Sequence, residues 1–309
     1  MAALHGKKDR MASARLAVDI GGTFTDLAIE REGEHAGRRT TIKVLTTPAA
    51  PEQGVMAGVA AILAASGLEP ADIALLVHGT TLATNAIIER KGARTALVTT
   101  EGFRDVLAMG NESRYDQYDL NIVLPEPLVP RHLRLPVPER LDNEGRILRP
   151  LDEDAVRALV PVLVREQVES IAIGLLHGFV NPVHERRVRD ILSRALPNVP
   201  ISLSSEVSPE MREWERFSTT AANAYVQPMM ARYLRRLEAD LAAMGVAAPI
   251  FLMLSGGGLT TIETACRFPI RLVESGPAGG AIFSAHIARQ CGMENVLSFD
   301  MGGTTAKIC

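Results

Sequence analysis

Residues 17–26 read Ala-Val-Asp-Ile-Gly-Gly-Thr-Phe-Thr-Asp, and residues 298–307 read Ser-Phe-Asp-Met-Gly-Gly-Thr-Thr-Ala-Lys. Both place an apolar strand before Asp-x-Gly-Gly-Thr, with Asp19 aligned on Asp300. One copy reads as an ordinary hairpin. Two copies, each behind an apolar strand, read as a repeated anion site. Glycines let backbone N–H groups approach an anion closely, and in such a turn several of them point inward. The Thr hydroxyl adds a donor, and the Asp at the strand end can hold a hydrated Mg2+ that neutralises phosphate. Two such turns facing each other would clamp a nucleotide. The sequence has no Gly-x-x-x-x-Gly-Lys-[Ser/Thr] loop, and neither copy continues as Gly-x-Gly-x-x-Gly.

Outward from the first copy, residues 15–20, 25–30 and 40–45 read as three strands joined by short turns, an antiparallel meander. Residues 53–65 read as a helix stopped by Gly67, 74–78 as a buried strand, 80–91 as a helix, 95–98 as a strand and 102–109 as a short helix. Residues 111–135 are irregular, a loop length that is usually functional. The spacing then predicts two short strands within 137–148, a helix over 152–167, a strand over 170–176, a helix over 181–195 and a strand over 201–203. The longest helical tract, 208–244, carries Pro228, expected to break or kink it. A strand at 250–254, a turn around Gly276, a helix from Pro277 and a strand at 296–300 close the sequence. This alternation defines an α/β fold class.

The chain has 309 residues, 47% of them hydrophobic and 22% charged, enough to bury a sizeable core and too apolar for a disordered or fibrous chain. A net charge of −3 gives no electrostatic footprint for nucleic acid or an anionic membrane. With 4% aromatic residues, base stacking is not the theme. No apolar run approaches the roughly 18–20 residues that span a bilayer, and residues 1–15 lack the apolar stretch of a signal peptide. Cys266, Cys291 and Cys309 have no metal-ligand spacing and read as reduced thiols of a cytoplasmic protein.

At its two Asp-x-Gly-Gly-Thr motifs the chain resembles the actin-like and sugar-kinase ATPase superfamily. Within it, the chain is similar to the A-type subunit of the hydantoinase/oxoprolinase family, from Arg15 to Cys309. The resemblance also rests on His-Gly-Thr-Thr-Leu-Ala-Thr-Asn-Ala-Ile-Ile-Glu-Arg at 78–90 and Gly-Phe-Arg-Asp at 102–105. Glu-Val-Ser-Pro-Glu at 206–210, Ser-Thr-Thr-Ala-Ala-Asn-Ala-Tyr at 218–225 and Ser-Gly-Pro-Ala-Gly-Gly at 275–280 complete it. It implies an actin-like ATPase (ribonuclease H-like) domain with a β-β-β-α-β-α core, followed by the start of a second related domain. The division expected is a disordered leader over 1–14, an N-terminal domain over 15–205, and an A domain over 206–309 that stops at the second phosphate motif. The chain is thus expected to be the amino-terminal portion of a longer one. One departure is Thr304-Thr305-Ala306-Lys307 where the family often has Thr-Ser-Thr-Asp.

The resemblance further implies a hydrolase that uses ATP and Mg2+ to open a cyclic amide such as hydantoin, N-methylhydantoin or 5-oxoproline. Phosphorylation of the amide oxygen would make the ring carbon open to water. A B-type subunit, separate or fused, is the implied partner; no nucleic acid or membrane is. Asp19 and Asp300 are the implied catalytic carboxylates, with Asp19 holding Mg2+ through water. Gly21, Gly22, Thr23, Thr25 and Asp26 would form one phosphate loop, and Gly302, Gly303, Thr304 and Thr305 the other. Thr80, Thr81, Asn85, Gly276 and Gly279 are candidates for substrate or phosphate; Thr80 reads equally well as a helix cap beside a buried His78. Residues 206–216, with Glu206, Glu210, Arg212, Glu213, Glu215 and Arg216, read mostly as a solvated helix face. An acetone-carboxylase-like subunit, a nonenzymatic ATP-binding regulator and, with less support, a sugar kinase are the alternatives.

Overall fold

The computed structural model describes residues 14–32, 37–47, 49–111, 116, 118–301 and 306–308. The expected leader therefore lies outside the described residues except for Ala14, which opens the first strand. Along the chain run β1 (Ala14–Ile20), β2 (Phe24–Arg31), β3 (Arg39–Leu45), α1 (Pro51–Ser66), β4 (Ile73–Thr80), α2 (Leu82–Ile88), β5 (Thr95–Thr100) and α3 (Val106–Met109). There follow β6 (Arg134–Val137), β7 (Arg140–Leu141), β8 (Ile147–Arg149), α4 (Glu153–Ala158), α5 (Val160–Arg165), β9 (Ser170–Gly174), α6 (Val183–Ala195), β10 (Ile201–Leu203) and α7 (Ser204–Val207). The last elements are α8 (Glu213–Met244), β11 (Ile250–Met253), β12 (Leu259–Thr261), α9 (Ile262–Arg267), α10 (Ser275–Gln290), β13 (Phe299–Met301) and β14 (Ala306–Ile308).

Two compact units form. The first gathers Met1–Asn85, Met230–Cys266 and Arg271–Cys309; the second holds Ala86–Met229 and Arg267–Ile270. Unit 1 is built on a six-stranded sheet of order β12-β11-β4-β1-β2-β3. β1, β2 and β3 are the antiparallel meander, β4 runs parallel to β1, and β11 runs parallel to β4. In β1, Ala14, Leu16, Val18 and Ile20 are buried while Arg15, Ala17 and Asp19 face outward, the two-residue alternation of a half-buried strand. That alternation puts Asp19 on the open face. α1 carries Gly58 where a Cβ would come within 2.4 Å of Leu27 in β2, so the missing side chain sets how closely helix meets sheet. Gly67 ends α1 in the left-handed region at φ 65, as the sequence predicts.

Unit 2 holds a parallel sheet of order β10-β9-β5-β6. β9 is buried along its whole length, as expected of a strand covered on both faces. Its core includes Leu97, Val98, Ile171, Ile173, Val188, Leu192 and Phe217.

Several expectations change. Unforeseen in the sequence, the neighbour of β4 in the meander's sheet is β11, and β5 belongs to the second unit. The helix expected over 152–167 is two helices, because Pro161 cannot donate to the preceding turn and starts α5 afresh. α8 is continuous through Pro228: one backbone bond is forgone, and the burial of Ala224, Val226, Met230 and Leu234 holds the helix together. The expected turn around Gly276 lies inside the first turn of α10. β12 pairs back on β11, so residues 255–258 are the turn of a hairpin.

Candidate active site

The site grows from three neighbouring strands of unit 1. Across the sheet, Asp19 pairs with Asp26, Asp26 with Lys43, and on its other side Asp19 faces Gly79. Cross-strand partners share a face, so three chemically active side chains project together. Gly79 makes room for the first of them: a Cβ there would stand 2.8 Å from the Asp19 Oδ1. Lys43 Nζ lies 2.9 Å from Asp26 Oδ1 and 5.0 Å above the centre of the Phe24 ring.

These strands floor a cavity of about 790 Å3. Asp19, Asp26, Lys43, Gly79, Ser275, Gly276, Gly279, Gly280, Phe283 and Asp300 are among its walls. The start of α10 is held by two contacts: Ser275 Oγ donates to the Thr80 carbonyl at 3.4 Å, and the Glu274 amide to Thr84 Oγ1 at 3.2 Å. No side chain caps this helix start. Gly276, Gly279 and Gly280 each face open space where a Cβ would stand. With the Glu274 amide bonded and Pro277 lacking an N–H, the Ser275 and Gly276 N–H groups are the donors of this first turn suited to an anion.

The carboxyl of Asp19 titrates above its ordinary range. Burial among the cavity walls is the main cause, the nearby charges of Asp26 and Asp300 add to it, and Lys43 opposes it. Asp19 makes no hydrogen bond to another described residue. A carboxylate left unpaired beside two others is one that a cation would stabilise. Among the described residues, no group of three or more His, Cys, Asp or Glu side chains is placed to hold a metal directly.

The first motif closes by a bond from the Gly21 amide to the Phe24 carbonyl at 2.9 Å, with Gly22 and Thr23 exposed. Gly21, Gly22 and Thr23 sit at the strand ends and do not line the cavity. Thr25 is fully buried, bonded to Thr46 Oγ1 at 2.9 Å, while Thr46 Oγ1 donates to the Gly21 carbonyl at 2.9 Å; together they brace the turn from below. Thr80 is buried at the end of β4 and accepts the Leu82 amide at 3.2 Å, a side-chain turn that leads into α2 rather than a cap on its second or third N–H. Thr81 donates to the Ile20 carbonyl at 3.2 Å, and Asn85 Nδ2 to Thr81 at 3.4 Å. A Cβ on Gly22 would lie 3.6 Å from Asn85 Nδ2, which places Asn85 beside the turn. Of the second motif, Asp300 pairs with Lys307 across β13 and β14; Gly302, Gly303, Thr304 and Thr305 lie outside the described residues.

His78 is fully buried, 3.1 Å from the Val18 carbonyl and 2.7 Å from the Tyr233 hydroxyl. Both ring nitrogens are thus engaged in the core. Lys43 and Phe283 were not foreseen from the sequence. The meander register would have pointed to Lys43, since it pairs with Asp26 one strand further on.

In unit 2, Arg216 corrects the reading of a solvated helix face. It is fully buried, donating to Ser204 Oγ at 3.2 Å, to the Glu210 carbonyl at 2.8 Å and to the Leu175 carbonyl at 3.2 Å. Glu206 holds Arg189 at 3.0 Å and Arg267 at 2.6 Å.

A meander flanked by parallel strands, with an acidic residue at the end of its first strand and a glycine turn beside it, defines an actin-like ATPase-type fold. Family models narrow this. The hydantoinase/oxoprolinase N-terminal region matches residues 15–196, and hydantoinase/oxoprolinase matches residues 216–309. The chain belongs to the hydantoinase/oxoprolinase family.

Among its relatives is caprolactamase subunit alpha of Pseudomonas jessenii, 36% identical over 303 residues, covering 95% of this chain and 43% of the relative. The crystal structure of the ATP-dependent caprolactamase from that organism superposes with a TM-score of 0.84 at 35% identity, covering 95% of this chain and 43% of the other. The 5-oxoprolinase of Saccharomyces cerevisiae is 32% identical over 330 residues, 95% of this chain and 25% of that one. Nucleotide-free acetone carboxylase, from a study of ATP-dependent acetone carboxylation, superposes with a TM-score of 0.87 at 29% identity, covering 96% of this chain and 44% of the other. The chain thus spans less than half the length of these relatives. Among the described residues, no helix is long and apolar enough to cross a membrane.

Proposed function

We propose that this chain forms the ATP-binding part of an amidohydrolase that opens a cyclic amide ring at the expense of ATP. The observation that carries the reading is the cavity of unit 1, where Asp19, which bonds to no other described residue, shares the walls with the glycine-flanked start of α10. Carboxylate and amide donors in one cavity suit a magnesium–triphosphate. Similarity to the ATP-dependent caprolactamase and to 5-oxoprolinase supports the choice of a lactam-like substrate.

ATP supplies a phosphoryl group that turns the resonance-stabilised amide oxygen into a leaving group. Asp19 would hold Mg2+ through water and orient the attacking oxygen. The Gly22 amide with Thr23, and the Gly276 amide, would bind phosphate oxygens, Gly21 and Gly279 would let the turn and the helix start come close to them, and Asp26, Thr25, Thr80, Thr81 and Asn85 would order the loops around them. Asp300, with Gly302, Gly303, Thr304 and Thr305, would close the clamp from the second motif. The domain division proposed is 15–205 and 206–309. A B-type subunit, separate or fused, would complete the enzyme, and the compartment proposed for this ATP-fed reaction is the cytoplasm.

The structural match to acetone carboxylase favours one second reading, an ATP-dependent carboxylase subunit. The test uses the full gene product with a B-type partner and follows ADP release with hydantoin, N-methylhydantoin, 5-oxoproline, caprolactam, and acetone plus bicarbonate. The expected result is ADP release tied to one cyclic amide and lowered at least about a hundredfold by Asp19→Ala, the scale of losing an electrostatic catalytic group. Release stimulated only by acetone and bicarbonate would transfer the assignment to carboxylation.

A further inference from the structure

Three acidic side chains, Asp19, Asp26 and Asp300, line the cavity of unit 1, and among its described lining residues Lys43 is the only cation. A triphosphate entering so acidic a cavity needs more positive charge than one Mg2+ brings. Lys43 is placed to supply it. Its ammonium reaches the face shared by Asp19 and Asp26 from β3 and is bonded to Asp26 at 2.9 Å. It also rests 5.0 Å from the Phe24 ring centre, so its position is held from two sides. The side chain remains 56% exposed, so the ammonium is free to leave a surface ion pair that is itself worth little.

We infer that Lys43 is a nucleotide-contacting residue that moves from Asp26 to the terminal phosphate when ATP enters, and that Asp26 serves to position it. Asp26 then acts through a lysine rather than on phosphate itself, where carboxylate and phosphate would repel. A lysine suits this role because it is a compact charge on a flexible stem with three donors, able to follow one phosphate oxygen. The inference rests on the proposed ATP reading and specifies which end of the nucleotide the β3 side of the cavity meets.

The test compares binding of MgATP and MgADP by calorimetry, using the full gene product as wild type, Lys43→Met and Lys43→Arg. For Lys43→Met the expected result is about tenfold or greater weakening of MgATP, the scale of one charged hydrogen bond, with MgADP changed less than about twofold. Lys43→Arg should recover most of the MgATP affinity, which a purely structural role for the aliphatic stem would not explain. Melting temperatures should stay at the wild-type value, since the side chain is largely exposed. Equal weakening of ATP and ADP, or no weakening of either, overturns the inference while leaving the ATP reading standing. Failure of the wild type to bind MgATP overturns both, and is visible before any variant is made.

Discussion

Asp19 and His78 lie on adjacent strands and show how one turn of side-chain alternation separates chemistry from architecture. Asp19 faces the cavity; His78 pairs with Val18 and is buried in the core with both ring nitrogens bonded. Burial pushes the His78 imidazole down to about 4, and the bond to the Val18 carbonyl opposes this only in part. With Nδ1–H donating to the Val18 carbonyl, neutral Nε2 accepts from the Tyr233 hydroxyl. A histidine with a depressed folded value contributes stability that is complete above its unfolded value of about 6.5 and is lost as pH falls toward 4, since the unfolded chain takes up the proton first. Between pH 7 and pH 4.5 this one group should cost about 2–3 kcal/mol of folding stability. Urea unfolding of wild type and His78→Gln at both pH values checks it: the variant is less stable at pH 7 but loses correspondingly less on acidification. Equal losses in both proteins would sink the assignment. The motif at 78–81 was visible in the sequence, but the choice between ligand and core residue depended on Tyr233, far along the chain.

At the scale of elements, the meander was legible because short turns and period-two patterning are local properties. The first motif's role as a strand-end turn was legible for the same reason. The start of α8 was not. Read as a helix face with charges at three- and four-residue spacing, residues 213–216 look solvated, yet Arg216 is enclosed between Phe179 and Phe217 and bonded to the ends of β9 and the start of α7. Beside it the Glu185 carboxylate is fully buried, accepting from Ser204 Oγ at 2.6 Å and from the amides of Leu175 and Ser205 at 3.0 and 2.9 Å. Burial raises the Glu185 pKa, and those donors restrain the rise. Replacing Arg216 by Met removes a buried cation and leaves its acceptors unpaired, so a loss of about 3 kcal/mol or more is expected. Chemical denaturation of the variant measures it; a change under about 1 kcal/mol would mean that the network is dispensable.

For the whole molecule, the main consequence is the interleaving of the units. Unit 1 needs β11, which stands beside β4 in the sheet but follows it by the entire length of Ala86–Met229. Unit 2 is nearly continuous in sequence and carries its own apolar core. A polypeptide of residues 86–229 is therefore expected to fold by itself, at some cost from losing the bond of Asn223 Nδ2 to the Arg267 carbonyl. A cooperative thermal transition and a dispersed amide NMR spectrum would confirm this, and a spectrum collapsed to random-coil shifts would refute it.

The α/β class, the meander, the repeated Asp-x-Gly-Gly-Thr motif and the family could be read from the residues alone, because each is carried by residues close together in the chain. Folding is what brings β11 beside β4, buries Arg216, and gathers Lys43, Phe283 and the start of α10 with Asp19 around one cavity. Those outcomes depend on which surfaces desolvate one another across more than a hundred residues of chain, and local patterning holds no record of that pairing.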